Sequence, residues 1–175
     1  MTIDTHSQTT DLLDEVDIEN HSKEGGRPPP ARRYVIRIDD TRHTVTSPTI
    51  TGAELLTLAG HAPPAVFAVE QIARGGKNTH VCPGETVDLT KPGVERFVTR
   101  EGVAFFVDQE EEFSTVVTLT VRAILVEHAK ADPAATTLVE IQGDERIKHP
   151  SLDEVITLKP CMRFVVYHNT PTTVS

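Results

Sequence analysis

The stretch LTKPGVERFV, residues 89–98, comes back near the end of the chain as LKPCMRFV, residues 158–165. Such repetition restricts the fold strongly, because each copy must close its own small unit around its own small core. The correspondence runs well beyond the phrase. Thr49-Ile50-Thr51 and Leu55-Leu56 reappear 69 residues on as Thr118-Leu119-Thr120 and Ile124-Leu125, Val69-Glu70 as Val139-Glu140, and Lys91-Pro92 as Lys159-Pro160. The small drift in spacing places the differences between the copies in loops.

Each copy has the same order of elements. In the first, Tyr34, Ile36 and Ile38 alternate with Val35 and Arg37 at the period of a strand, Asp39-Asp40-Thr41 supplies a turn, and HTVT continues as a hairpin partner. The spacing then predicts a helix in TITGAELLTLAG. Thr51 and Glu54 form a capping box at its start, Leu55, Leu56 and Leu58 its apolar face, and Gly60 its left-handed stop. VFAVEQI (66–72) reads as a third strand, ARGGKN as a turn, ETVDL (85–89) as a short extended piece, and ERFVTR as the closing strand. In the second copy VAFFVDQEEEFST (103–115) is strand, turn and strand, TLTVRAILVEHA (118–129) the helix, and TLVEIQ (137–142) and MRFVVYHN (162–169) the later strands. Hairpin, single helix and further strands make an α+β unit in which one helix covers one face of a mixed sheet. This is the β-grasp order. The expectation is two tandem β-grasp domains, 33–101 and 102–169, between a disordered acidic arm over 1–32 and a tail over 170–175.

The arm rests on composition. Residues 1–31 carry seven acids against two bases and end in GGRPPPA, too little apolar surface to offset chain entropy. Within it Leu12, Leu13, Val16 and Ile18 stand among acids and are candidates for a docking peptide that folds on a partner. The net charge of -9 argues against binding nucleic acid or an anionic membrane surface. No apolar run approaches the ~20 residues of a membrane helix, and the N-terminal stretch lacks a secretory pattern, so a cytoplasmic location is expected. There Cys82 and Cys161 are expected to remain thiols, small apolar side chains in effect.

Enzyme signatures are missing. His80 and Cys82 share a strand face in His-Val-Cys, but no third group completes a metal site or a thiol–base pair, which leaves a surface histidine beside a partly buried cysteine. No P-loop, GxGxxG after a strand or GxSxG occurs. Neither an enzymatic activity nor a cofactor or metal is expected.

YVIRIDDTRHTVTSPTITGAELLTLAG followed by ETVDLTKPGVERFV resembles the bacterial multiubiquitin domain over about residues 33–100. Pro48 to Gly52, Leu55, Leu56, Ala59 and Gly60 carry the likeness. The second copy departs from it at Thr120-Val121 and Ala129-Lys130. The resemblance implies a ubiquitin-like modifier of bacterial, phage-defence operons. Its partners would be an activating enzyme, a conjugating enzyme, a JAB-type peptidase and a target protein, and its reactive end a C-terminal carboxylate. Most such tails end in glycine, which is slim enough to thread an active site. Here no glycine follows Gly143, and the tail is Thr170, Pro171, Thr172, Thr173, Val174 and Ser175. Conjugation through that tail, noncovalent binding through sheet faces or the arm, and an end that lacks the family's terminus are the readings left open. Gly102 adds another, cleavage between the copies to release a glycine-ended first domain.

Overall fold

The computed structural model describes residues 12–61 and 67–169. The chain runs β1 (Val16–Asp17), α1 (Ile18–Lys23), β2 (Tyr34–Ile38), β3 (Thr41–Val45), β4 (Thr49–Thr51), α2 (Gly52–Leu58), β5 (Phe67–Ala73), β6 (Asn78–Val81), β7 (Thr86–Asp88) and β8 (Val94–Glu101). It continues with β9 (Val103–Val107), β10 (Glu110–Ser114), β11 (Thr118–Thr120), α3 (Val121–Ala123) running into a π-helical turn (Ile124–His128), β12 (Thr136–Gln142), β13 (Glu145–His149), β14 (Val155–Thr157) and β15 (Arg163–His168). Strand dominates, helices are few, and both main sheets are mixed, an α+β arrangement compatible with a ubiquitin-like fold.

One sheet has the order β1-β2-β8-β5-β6 with β3 also on β2, and the other β10-β9-β15-β12-β13. In each, the first hairpin strand lies parallel to the closing strand, with Ile38 opposite Phe97 and Phe106 opposite Arg163. Two separate apolar clusters follow, one around Ile36, Leu55, Leu56, Leu89 and Phe97, the other around Phe105, Ile124, Leu125, Leu158 and Phe164. The repeated phrase supplies the same buried pair to each: Leu89 and Phe97, then Leu158 and Phe164.

Backbone chemistry repeats with the packing. Asp39 and Asp40 hold positive φ, 49° and 63°, in the tight turn that follows β2. The Asp39 amide donates to Phe97 O at 3.1 Å, while its carboxylate accepts from the Thr99 amide at 2.7 Å. Asp108, with φ 57°, does the same, donating to Phe164 O at 2.8 Å and accepting from the Val166 amide at 3.0 Å. An aspartate at each hairpin therefore locks that hairpin to the closing strand.

The helices show what divergence costs. At α2 the Glu54 amide donates to Thr51 Oγ1 at 3.2 Å and the Thr51 amide to Glu54 Oε2 at 2.7 Å, so the expected capping box is complete. The helix stops at Gly60, φ 81°, with His61 N–H reaching Leu56 O and Gly60 N–H reaching Thr57 O. In the second copy Ala123 stands where the box needs a carboxylate, and only Thr120 Oγ1 caps. The helix expected over 118–129 is then shortened: 118–120 is strand β11, and the turn beyond α3 widens, with Ala129 N–H bonding Ile124 O five residues back.

Two expectations are corrected. The arm expected over 1–32 is ordered in its described part, residues 12–32. Val16 pairs in parallel with Tyr34, Leu13 bridges Ala31, and Val16, Ile18 and Ser22 are buried. The reason lies in the sheet. β2 and β8 are registered only at Ile38–Phe97, and β1 with α1 occupies the remainder of that edge of β2. Two of its acids meet basic partners on the sheet: Glu19 Oε2 lies 2.5 Å from Arg37 Nε and Glu15 Oε1 2.7 Å from Arg42 Nη2. Average composition misses partners supplied from elsewhere in the chain. The cysteines are likewise not thiols. Cys82 and Cys161, 79 residues apart, stand 5.8 Å apart at Cα and form a disulfide.

Candidate functional site

β15 lies between β9 and β12 and carries the chain out of the second sheet. Its exit is pinned. Asn169 N–H donates to Ala135 O at 2.8 Å, and Thr137 Oγ1 donates to Asn169 Oδ1 at 2.9 Å. The expected conjugation tail, Thr170 to Ser175, begins at this point and lies outside the described residues.

Strand alternation fixes what surrounds the exit. Leu138 and Phe164 turn inward to the core, so Thr137, Val139 and Tyr167 take the outer face, and pairing of Val139 with Lys148 and of Ile141 with Arg146 puts both cations there too. Together with Pro150 and Asn169 they line an open groove of about 510 Å³. Val139 is its apolar floor at 3% exposure, and Arg146 Nη1 donates to Tyr167 Oη at 2.8 Å on the rim. Arg37, Arg42, Arg96 and Arg100 on the first sheet all have carboxylate partners. Among the described residues Arg146 and Lys148 have none. Beneath, on the inner side, buried His149 bridges Glu154, 2.9 Å away, and buried Glu140, 3.4 Å away, fixing the β12–β13 hairpin from below.

Three other sequence candidates, His80, Cys82 and Gly102, lie at the seam between the two sheets. His80 is buried rather than superficial, with Nδ1 2.9 Å from Glu111 Oε1 on β10 but off the line of a hydrogen bond. Arg100 stacks over Phe113 with its guanidinium carbon 3.8 Å from the ring centre. Cys82 is closed off as a nucleophile by its bond to Cys161. Gly102, φ 131°, sits buried where β8 passes into β9; a Cβ there would meet Phe113 Cζ and Ser114 O, each at 2.5 Å. Contact with backbone and ring gives this glycine a packing role, and a peptidase would reach it only after local opening.

The docking quartet is split. Val16 and Ile18 are buried against the first sheet, while Leu12 and Leu13 remain 51% and 49% exposed. Two carboxylates have acidities shifted by the loops of the first copy. Hydrogen bonds from the Thr51 amide, then the Thr51 hydroxyl, hold Glu54 below its ordinary value. Asp88 is lowered by the Thr90 hydroxyl, then the Thr90 amide, with Lys91 and Arg27 adding positive charge.

Sequence reading missed the groove. The signal available was Gly143-Asp144 between two runs of strand-forming residues, a hairpin turn that makes β13 and sets Arg146 and Lys148 on one face. No helix among the described residues is long and apolar enough to cross a membrane. Residues 34–102 match the family model described as Multiubiquitin, a span from β2 to Gly102 that is less than half of the chain. No curated protein matches the chain in sequence.

Proposed function

We propose that the chain is a protein modifier made of two tandem β-grasp domains, conjugated to targets through the residues that follow Asn169. The match of residues 34–102 to the Multiubiquitin model carries this reading. The repeated aspartate clamp and the repeated buried Leu–Phe pair support its extension to the second copy. An activating enzyme adenylates the terminal carboxylate, a cysteine thiolate displaces the adenylate to form a thioester, and a lysine amine of the target attacks the acyl carbon and expels the thiol. The chain itself performs no catalysis. A conjugating enzyme, a JAB-type peptidase and a place in bacterial phage defence, in the cytoplasm, belong to the same reading.

The test is mass spectrometry of N-terminally tagged protein co-expressed with activating and conjugating enzymes of ubiquitin-like systems. Adducts of higher mass that disappear when residues 170–175 are deleted support conjugation. Unmodified protein in the presence of active enzymes refutes it. The alternative, noncovalent binding through a sheet face, is favoured by one observation: beside Asn169 the second sheet carries a groove whose Arg146 and Lys148 have no carboxylate partner among the described residues.

A further inference from the structure

The outer faces of the two sheets meet at β10 and part company beyond it. On the first sheet, Arg100 and His80 meet Phe113 and Glu111 of β10, and Glu70 neutralises Arg100 at 3.2 Å. On the second, the face formed by β12, β13 and β15 stays open, with an apolar floor and two cations lacking any carboxylate partner among the described residues.

We propose that this groove docks a short, extended, acidic peptide segment of a partner protein, with an aliphatic side chain over Val139 and carboxylates against Arg146 and Lys148. Charge complementarity selects the occupant. Two exposed cations beside a buried valine match alternating aliphatic and acidic residues. They are too few to hold a nucleic acid against a net charge of -9, since such binding needs clustered cations along the phosphates. The volume lies within the usual range for ligand-sized sites, so a few residues rather than a folded surface fill it. This deepens the noncovalent reading, and it stands whether or not the tail is conjugated.

The experiment is an amide-shift NMR titration of the ¹⁵N-labelled full chain with a capped EEDLIVLDEE peptide, beside its Gln/Asn counterpart QQNLIVLNQQ. The acidic peptide is expected to shift the amides of Thr137, Val139, Arg146, Lys148 and Tyr167 and to lose affinity between low and 0.3 M salt. Lys148→Glu alone, and Arg146→Glu with Lys148→Glu, are expected to weaken it, the pair by about tenfold. Unchanged shifts in the first sheet check that these variants are folded. Equal binding of the neutral peptide, or shifts confined to other surfaces, overturns the proposal. So do groove shifts that track protein concentration without peptide, which make a second copy the occupant. Groove shifts on truncation at Asn169 also overturn it, since they make the tail the occupant.

Discussion

Replacing both cysteines, as Cys82→Ser with Cys161→Ser, tests how far the bond between the two sheets underwrites stability. The closed loop spans 79 residues and contains strands of both apolar clusters, from β7 and β8 through β14. In the chain-entropy account, a loop of about 80 residues removes roughly 15 cal/mol/K from the unfolded ensemble, or about 4.5 kcal/mol at 25 °C. Domains have only about 5–15 kcal/mol in hand, so roughly 30% or more of the total hangs on this link. The corresponding fall in melting temperature is roughly 9–18 °C for a chain of this size.

Urea unfolding of oxidised parent and double-serine variant gives two readouts. The midpoint should fall, and the dependence on urea should steepen, because the unlinked chain exposes more surface when it unfolds. A stability change below about 1 kcal/mol with an unchanged slope refutes the argument, since it means the unfolded chain gains no freedom when the link is removed. Thiol counting on protein trapped in acid at lysis supplies the cellular half. A reducing cytoplasm opens such bonds unless they are shielded, so two free thiols there mean that the working form is the less stable, unlinked one.

Three further outcomes follow from single positions. Gly52→Ala places a Cβ 2.3 Å from the carbonyl oxygen of Cys82 and should cost about 1–3 kcal/mol in urea unfolding, whereas Gly84→Ala, with open space around it, should change stability by less than about 0.5 kcal/mol. Lys130 ends the second helix at φ 54°, so Lys130→Gly should raise stability by about 1 kcal/mol, while Gly60→Lys, at φ 81°, should lower it by a similar amount. Glu54 and Asp88 have folded acidities below their ordinary values of 4.5 and 3.8. Their contribution is complete above those values and is lost as pH falls through the lower folded ones, so Glu54→Gln with Asp88→Asn should flatten the acid limb of urea midpoints measured from pH 6 to 2.5.

What was legible in the chain is what local sequence dictates. The capping pair Thr51 and Glu54, the stop at Gly60 and the turn at Asp39-Asp40 each depend on residues within a few positions, and each forms where the pattern puts it. Internal repetition made the longer-range core legible as well, since Leu89 and Phe97 could be matched with Leu158 and Phe164. What failed required a partner far along the chain. Val16 and Ile18 look like stray aliphatics until an edge of β2 is there to receive them, and Glu15 and Glu19 look repulsive until Arg42 and Arg37 face them. Cys82 and Cys161 carry no local hint of each other. The β12–β13 hairpin differs, since its signal, the Gly143-Asp144 turn, is local.

The two copies have diverged in a way that fits a division of labour. The first keeps the complete capping box and the glycine stop, and β1 with α1 finishes its sheet. Its outer face is engaged: Arg100 is neutralised by Glu70 and stacked on Phe113, and His80 lies against Glu111. The second has a wider π-helical turn, a lysine in the left-handed stop and an outer face left open over β12, β13 and β15. Its less regular helix lies under the sheet, away from the groove, so helix irregularity and surface chemistry vary separately. The hairpin that presents Arg146 and Lys148 is held from beneath by Glu140, His149 and Glu154, which lets residues on the open side change without loosening the strands that display them. The first copy is thus the more fully anchored unit, and the second carries the open groove and the pinned Asn169 on the same sheet.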